Sequence, residues 1–357
     1  MTGPVTRAEL TAALAVRQML DRRRRLTPAA AIAQLTPLQA QHPPAPYLAL
    51  AARLEGFAPP ALEAALGSGV VVKATLMRFT LHLAAAGDFP AYAQISRQAR
   101  LRGLARRHPG LDLDAATADL RAWLTQPRGN DEIRALVAEL WPEIPGDPWT
   151  RIGFVRDLVP VVHLPPAGFW AQRRRPRFTA DPRPRPEPGQ AAADVLAGYL
   201  RAFGPASLRD AAAWAGVAQR DLAGAVARLP VLRERDERGR ELLDLPGAPR
   251  PPASAPLPVR LLAHWDQPLL AYADRERVMP AELRPLQLTL SGDPTVTVGG
   301  RVAGRWSHAR EGGVCRLAVE PLVELTRAQL GAVRAEALRT ARFCAEAGDR
   351  VEVTIAA

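Results

Sequence analysis

Lysine is almost missing from this chain. Of 47 basic residues in 357, only Lys73 is a lysine and the rest are arginines, a bias that a GC-rich genome produces by itself. One side-chain amine is therefore available for Schiff-base chemistry, which requires an amine nucleophile. Cysteine is also scarce. Cys315 and Cys344 stand far apart with no C-x-x-C spacing, which excludes a disulfide framework and a cysteine zinc site. With no secretory leader pattern ahead of them, both are expected as reduced thiols in a bacterial cytoplasmic protein. The histidines, His42, His82, His108, His163, His264 and His308, are dispersed without H-x-x-x-H spacing, so no metal or other cofactor is expected. No G-x-S-x-G elbow or P-loop occurs. Every apolar run is broken by Arg, Pro or Asp well short of the ~20 residues that span a bilayer, so no membrane partner is expected.

Positive charge is what the chain has in excess. A formal net charge of +11 favours polyanions through Coulomb attraction and counterion release, which makes nucleic acid the leading partner. At this length the chain holds about two to four units of ordinary size and buries a core without metal or disulfide staples.

The order of elements repeats. Arg7 to Met19 reads as an amphipathic helix, Thr27-Pro28 supplies an N-cap with proline at the first helical position, and Tyr47 to Leu54 and Pro59 to Leu66 read as further helices. Val70 to Val72 and Leu76 to Leu83 then read as strands. Asp112 to Leu124 and Asn130 to Leu140 are again amphipathic, followed by a strand-like run from Leu158 to Leu164. The Pro/Arg-rich stretch from Arg173 to Pro186 cannot form a packed core and reads as a linker, a wing tip or both, either solvated or in contact with DNA. Ala191 to Leu229 is a third helix set, with short strands expected near Leu232 and Leu242. Beyond the proline-rich Pro246 to Pro258, the runs Val259 to Leu262, Leu286 to Leu290, Thr295 to Val298, Arg301 to Trp306 and Val314 to Val319 read as strands. Gly299-Gly300 makes a two-residue hairpin turn where positive φ is tolerated. Thr326 to Ala347 reads as a helix and Val351 to Ile355 as a closing strand. Helices followed by a hairpin is winged-helix order. The expected fold class is α+β, with three tandem units at 1–110, 111–186 and 187–250 and a small β-barrel-like domain at 251–357.

Gln39-Ala40-Gln41 places two amides in an otherwise apolar Ala/Leu-rich pattern. By itself this reads as a pair of helix-end amides satisfying local backbone groups. Its setting, Leu35 to Leu48, resembles the signature of the AlkZ/YcaQ family of winged-helix DNA glycosylases. Three further segments resemble that family in the same order: Leu76-Met77-Arg78-Phe79-Thr80-Leu81-His82-Leu83; Leu261-Leu262-Ala263-His264-Trp265-Asp266 with Ala273-Asp274-Arg275-Glu276-Arg277-Val278; and Gly300-Arg301-Val302-Ala303-Gly304-Arg305-Trp306. The resemblance covers most of the chain. It implies three winged helices curved as a clamp around duplex DNA, hydrolysis of the N-glycosidic bond of alkylated purines, in some members interstrand crosslinks as substrates, and Gln39 and Gln41 as the catalytic pair. Family members carry Q-x-Q or Q-x-Asp, and this chain has the all-glutamine form.

The amides constrain the substrate. An aspartate stabilises an oxocarbenium ion and accepts a proton, whereas a glutamine amide is neutral and only orients and polarises. Two amides suit a base that already carries positive charge, as N7-alkylguanine does, with Gln41 holding the attacking water and Gln39 fixing the sugar, the water or Gln41. Arg78 and His82 share a strand face in this reading and are candidates for DNA contact, together with Arg275, Arg301 and Arg305. A monofunctional, monomeric enzyme acting on duplex DNA with alkylated purines is expected, associated with the nucleoid when bound. The alternative is a winged-helix DNA-binding protein or transcription regulator without catalysis, which the same charge and element order fit.

Overall fold

A computed structural model describes residues 3–171 and 175–356. Arg173 and Arg174, which open the Pro/Arg-rich stretch, lie outside the described residues. The fold is mixed α+β, and the helices begin where capping chemistry places them. Thr6 and Glu9 form a reciprocal capping box at Arg7–Arg17. The Thr27 hydroxyl accepts the Ala30 N–H ahead of Pro28–Leu35, and Ser207 with Asp210 opens Leu208–Ala215. Each pairing satisfies amide groups that have no partner in a helix's first turn.

Six strands form the first sheet: β1 (Leu38–Gln39), β2 (Val71–Thr75), β3 (Leu81–Ala85), β4 (Arg128–Gly129), β5 (Val161–His163) and β6 (Arg177–Ala180), in the order β1-β3-β2-β5-β6-β4. The β2–β5 pairing, with Lys73 opposite His163, joins strands that follow the first and second helix sets into one sheet. A separate hairpin, β7 (Leu232–Arg235) and β8 (Glu241–Asp244), follows the third set. The helix Pro188–Phe203 lies at the centre of the largest core, where Leu196, Tyr199, Leu200 and Phe203 are fully buried with Trp214 and Tyr92. It packs along Phe89–Arg107, a helix absent from the sequence reading.

Two expected strands take other forms. Leu76 to Leu83 is broken by a helical turn at Met77–Phe79, where Arg78 and Phe79 have φ of 52° and 59°; β3 starts only at Leu81. Leu286 to Leu290 alternates in sequence but is helical, spanning the end of the turn Ala281–Leu286 and the start of the helix Gln287–Gly292. Leu283 and Leu290, seven residues and so two helical turns apart, are buried, while Leu286 is exposed.

The C-terminal region is an open sheet and not the barrel-like closure expected. Strands β9 (Arg260–Leu262), β10 (Thr295–Val298), β11 (Arg301–Glu311), β12 (Val314–Pro321) and β13 (Arg350–Ile355) run in the order β13-β12-β11-β10-β9, and among the described residues the two ends do not pair. The helix Arg327–Cys344 crosses between the parallel strands β12 and β13. It lays Val333, Ala337 and Ala341 into the same core as Cys315, Leu317 and Val319. That helix covers the apolar face, so closing the sheet on itself is unnecessary. The Gly299-Gly300 turn joins β10 to β11, with φ of 57° and 75°.

Two buried ion pairs fasten distant parts of the chain. Arg17 meets both carboxylate oxygens of Asp244 at 2.7 and 2.9 Å. Arg53, on the helix Ala45–Arg53, meets those of Asp266 at 3.0 and 2.5 Å. The second pair anchors the loop after β9 against the helix that follows the Q-x-Q segment.

Candidate active site

Gln39 sits in β1 opposite His82 of β3, and the ladder continues with the Ala40 N–H on the Leu81 carbonyl at 2.7 Å. Gln39 is buried and Gln41 exposed. The Oε1 of Gln41 accepts the Leu81 N–H at 3.1 Å. Because an N–H requires an acceptor, this contact fixes which end of the amide is oxygen and directs the NH2 group away from β3. The Oε1 of Gln39 receives a long contact from Arg78 Nη2 at 3.5 Å. Both glutamines are thus held by their oxygens, each retaining a second lone pair and a donor group.

Arg78 is positioned by its turn and not by a strand. Its other terminal nitrogen donates to the Trp214 carbonyl. Burial, reinforced by the charge of Arg275, lowers its pKa to about 10. Gly216, two residues after Trp214, has φ of 70°, and a Cβ there would lie 2.8 Å from the Arg78 backbone nitrogen. The third helix set therefore presses directly on the Arg78 turn, a contact that only glycine permits. Gln267 completes the link: its side-chain nitrogen donates to the Pro37 carbonyl and its oxygen accepts the Trp214 indole N–H at 3.3 Å.

His82 is fully buried. Its Nδ1 donates to the Thr80 carbonyl at 2.9 Å, and its Nε2 has no partner among the described residues. Burial first and the Arg78 charge second lower its pKa to about 3, so it is neutral at physiological pH. A histidine whose folded pKa lies below its unfolded value supports full stability above about pH 6.5, and that stability is lost as the pH falls from 6.5 toward 3. The urea midpoint is expected to fall between pH 7.5 and 5.5, with His82 contributing roughly 1 kcal/mol per pH unit below 6.5. His82→Gln is expected to show a shallower dependence.

Lys73 lies outside this constellation. In the register Ala74 pairs with His82, and His82 with Gln39, so Lys73 as the neighbour of Ala74 faces the other side of the sheet. Burial alone lowers its pKa to about 8.

The structure brings Gln39, Gln41, Arg78 and His82 together and adds Arg275 through its charge on Arg78. Arg275 also donates to the Gln287 carbonyl at 3.2 Å. The other two arginines are not drawn to the glutamines and make contacts of their own. Arg301 donates to the Met279 carbonyl at 3.3 Å, and Arg305 forms a two-point pair with Glu320 at 2.7 and 3.1 Å. Sequence reasoning missed Trp214, Gly216 and Gln267, which act through long-range contacts.

Three of the six histidines share one cleft although they are dispersed in the sequence. His42, directly after Gln41, meets His264 edge to face with ring centroids 4.4 Å apart. Both line a cleft of about 930 Å³ that continues past His308 and Trp306 to the Arg305–Glu320 pair. Among the described residues no group of three or more His, Cys, Asp or Glu is arranged to hold a metal ion. Among the described residues five non-glycine positions have positive φ, and Thr36, Arg78, Phe79 and Trp265 of these flank the Q-x-Q segment or its His42–His264 contact. Backbone strain of this kind concentrates at functional sites.

Comparison with known proteins agrees with this architecture. A relative in Streptomyces sahachiroi, described as an interstrand DNA cross-link repair glycosylase, is 32% identical over 177 residues, covering 46% of this chain and 46% of the relative. The match thus spans about half the relative's length. The solved structure of Streptomyces sahachiroi DNA glycosylase AlkZ shares the fold with a TM-score of 0.82 at 22% identity, over 99% of this chain and 100% of that one. Residues 32–343 match the family described as DNA glycosylase AlkZ-like. The chain belongs to the AlkZ-like DNA glycosylase family.

Proposed function

We propose that this protein is a monofunctional DNA glycosylase that hydrolyses the N-glycosidic bond of N7-alkylated, cationic purines, bulky adducts and crosslinks included. The observation that carries this reading is the pair of neutral amides, Gln39 and Gln41, each held through its oxygen beside a neutral histidine. No carboxylate belongs to this set. The cationic base leaves as a neutral molecule, and a water oxygen bonds to C1′ of the sugar. The water then releases one proton to solvent, so charge balances without a strong base. Gln41 accepts a hydrogen bond from the attacking water with its second lone pair, and Gln39 orients the sugar. The two amide dipoles also favour positive charge developing on the sugar.

The cleft beginning at His42 supports acceptance of bulky substituents, since it adjoins Gln41 and leaves room outside the catalytic pair. The three helix-plus-hairpin sets act as winged-helix units along the duplex, divided at 1–110, 111–186 and 187–250, with 251–357 closing the clamp on a monomer. The test is release of free 7-methylguanine, with an abasic site left in the strand, from methylated duplex under enzyme excess. A regulator without catalysis would bind the duplex and release nothing.

Lys73 carries the absence of strand cleavage, because the only lysine faces away from Gln39. Borohydride is expected to trap no covalent adduct, and Lys73→Gln is expected to release base at the wild-type rate. A trapped adduct that disappears in Lys73→Gln would overturn the monofunctional assignment.

A further inference from the structure

The described part of the Pro/Arg-rich stretch folds against two helices. Pro182, Arg183, Pro184, Arg185 and Pro186 form one wall of a cleft of about 550 Å³, and Gln94 and Arg97 of Phe89–Arg107 with Arg121 of Leu113–Trp123 form the other. Four guanidinium groups line it. Arg183 is accounted for: its Nε donates to Asp181 Oδ1 at 2.7 Å, and its guanidinium lies 5.2 Å from the Phe89 ring centre.

The other three have no carboxylate partner among the described residues. Arg97 donates to the Leu158 carbonyl at 2.7 Å and the Thr117 hydroxyl at 3.4 Å, and Arg121 to the Asp181 carbonyl at 3.2 Å. The Nη1 of Arg185 is buried with no acceptor. Of the carboxylates nearby, Asp181 is paired with Arg183 and acts on Arg185 only through its field, as Asp114 does on Arg97, and Glu187 lines the cleft at its exposed edge without pairing to any of the three. Burial and then mutual repulsion lower the pKa of both Arg97 and Arg185. Three part-buried cations facing one space raise each other's energy, and an anion among them removes that cost. Planar guanidinium forks match the oxygens of a phosphate. Alternating prolines stiffen the strap, so the arginines are in place before a ligand arrives.

We propose that this cleft is a phosphate seat, occupied in the working protein by a backbone phosphodiester of DNA away from the damaged base. Its link to the candidate active site is the helix Phe89–Arg107. Arg100, one turn beyond Arg97, donates to the Leu76 carbonyl at 3.3 Å just ahead of the Arg78 turn. The seat sets where the duplex lies and takes no part in bond cleavage. The DNA source rests on the glycosylase reading; the phosphate chemistry does not.

The experiment uses full-length Arg185→Gln and Arg121→Gln/Arg185→Gln, with Arg185→Lys as companion. Among the described residues the Arg185 side chain makes no hydrogen bond, so its replacement is expected to retain the fold. Binding to undamaged duplex is measured by anisotropy over a salt series. Arg185→Gln is expected to bind several-fold more weakly, with a slope of log K against log salt shallower by about 1. Arg185→Lys keeps the wild-type slope. In parallel, inorganic phosphate is expected to raise the melting temperature of wild type more than that of the double variant. Stabilisation by phosphate that needs Arg121 and Arg185, with an unchanged DNA slope, upholds the seat and assigns it to free phosphate. An unchanged DNA slope and affinity together with equal phosphate response overturns it. If wild type releases no base, the glycosylase reading falls while the phosphate measurement still decides the seat.

Discussion

Gln41→Ala is expected to lower the single-turnover rate of 7-methylguanine release by on the order of 100-fold, the loss typical of removing one preorganised polar group aimed at a transition state. The residue is exposed, and among the described residues its side chain is held by the Leu81 N–H alone, so truncation is expected to leave the fold intact and binding to the duplex nearly unchanged. The loss therefore falls on the chemical step and not on affinity. Gln39→Ala is expected to lose less, because Gln39 is drawn toward Arg78 and acts by orientation. A Gln41→Ala protein with the wild-type rate would remove Gln41 from the mechanism and leave the amide pair as a local backbone clasp.

The second large effect is on stability. Arg53→Met is expected to destabilise the protein by about 3–5 kcal/mol, because it leaves the Asp266 carboxylate buried without its partner. Both side chains are fully buried. Among the described residues the other hydrogen bond to the Asp266 carboxylate is from the Ala263 N–H at 3.3 Å, too little to hold a charge out of water. Urea midpoints at constant m-value are the measurement. Asp266 follows His264 and Trp265 in a segment with strong family resemblance, and an acidic residue there invites a catalytic assignment. Its geometry gives it a different task, which is to hold the His264 loop against the helix behind Gln41.

Much of this arrangement was legible in the sequence. The cap at Thr27 with Pro28, the Gly299-Gly300 turn and the two hairpins of the third and fourth segments follow from local chemistry that a window of a few residues contains. The Q-x-Q segment stood out because amides are foreign to an apolar pattern. Arg78 lies beside Gln39, but not by the route the sequence suggested: an alternating run suggested a strand, whereas its position depends on a left-handed turn held by Trp214 and by the bare Gly216 more than 130 residues later. Nothing local encodes that contact. The open sheet was also out of reach, since β-strand patterns look alike whether the sheet closes on itself or is covered by a helix. The clustering of His42 with His264 shows the same limit, because spacing rules detect ligands and partners only when they are near in sequence.

The central claim is that neutral amides suffice because the lesion supplies its own positive charge. The most direct measurement is parallel release of base, under enzyme excess, from duplexes that differ only in carrying cationic 7-methylguanine or neutral hypoxanthine. The account predicts release of 7-methylguanine with an abasic site and no release of hypoxanthine. Equal release of both bases, or release of hypoxanthine alone, would contradict it.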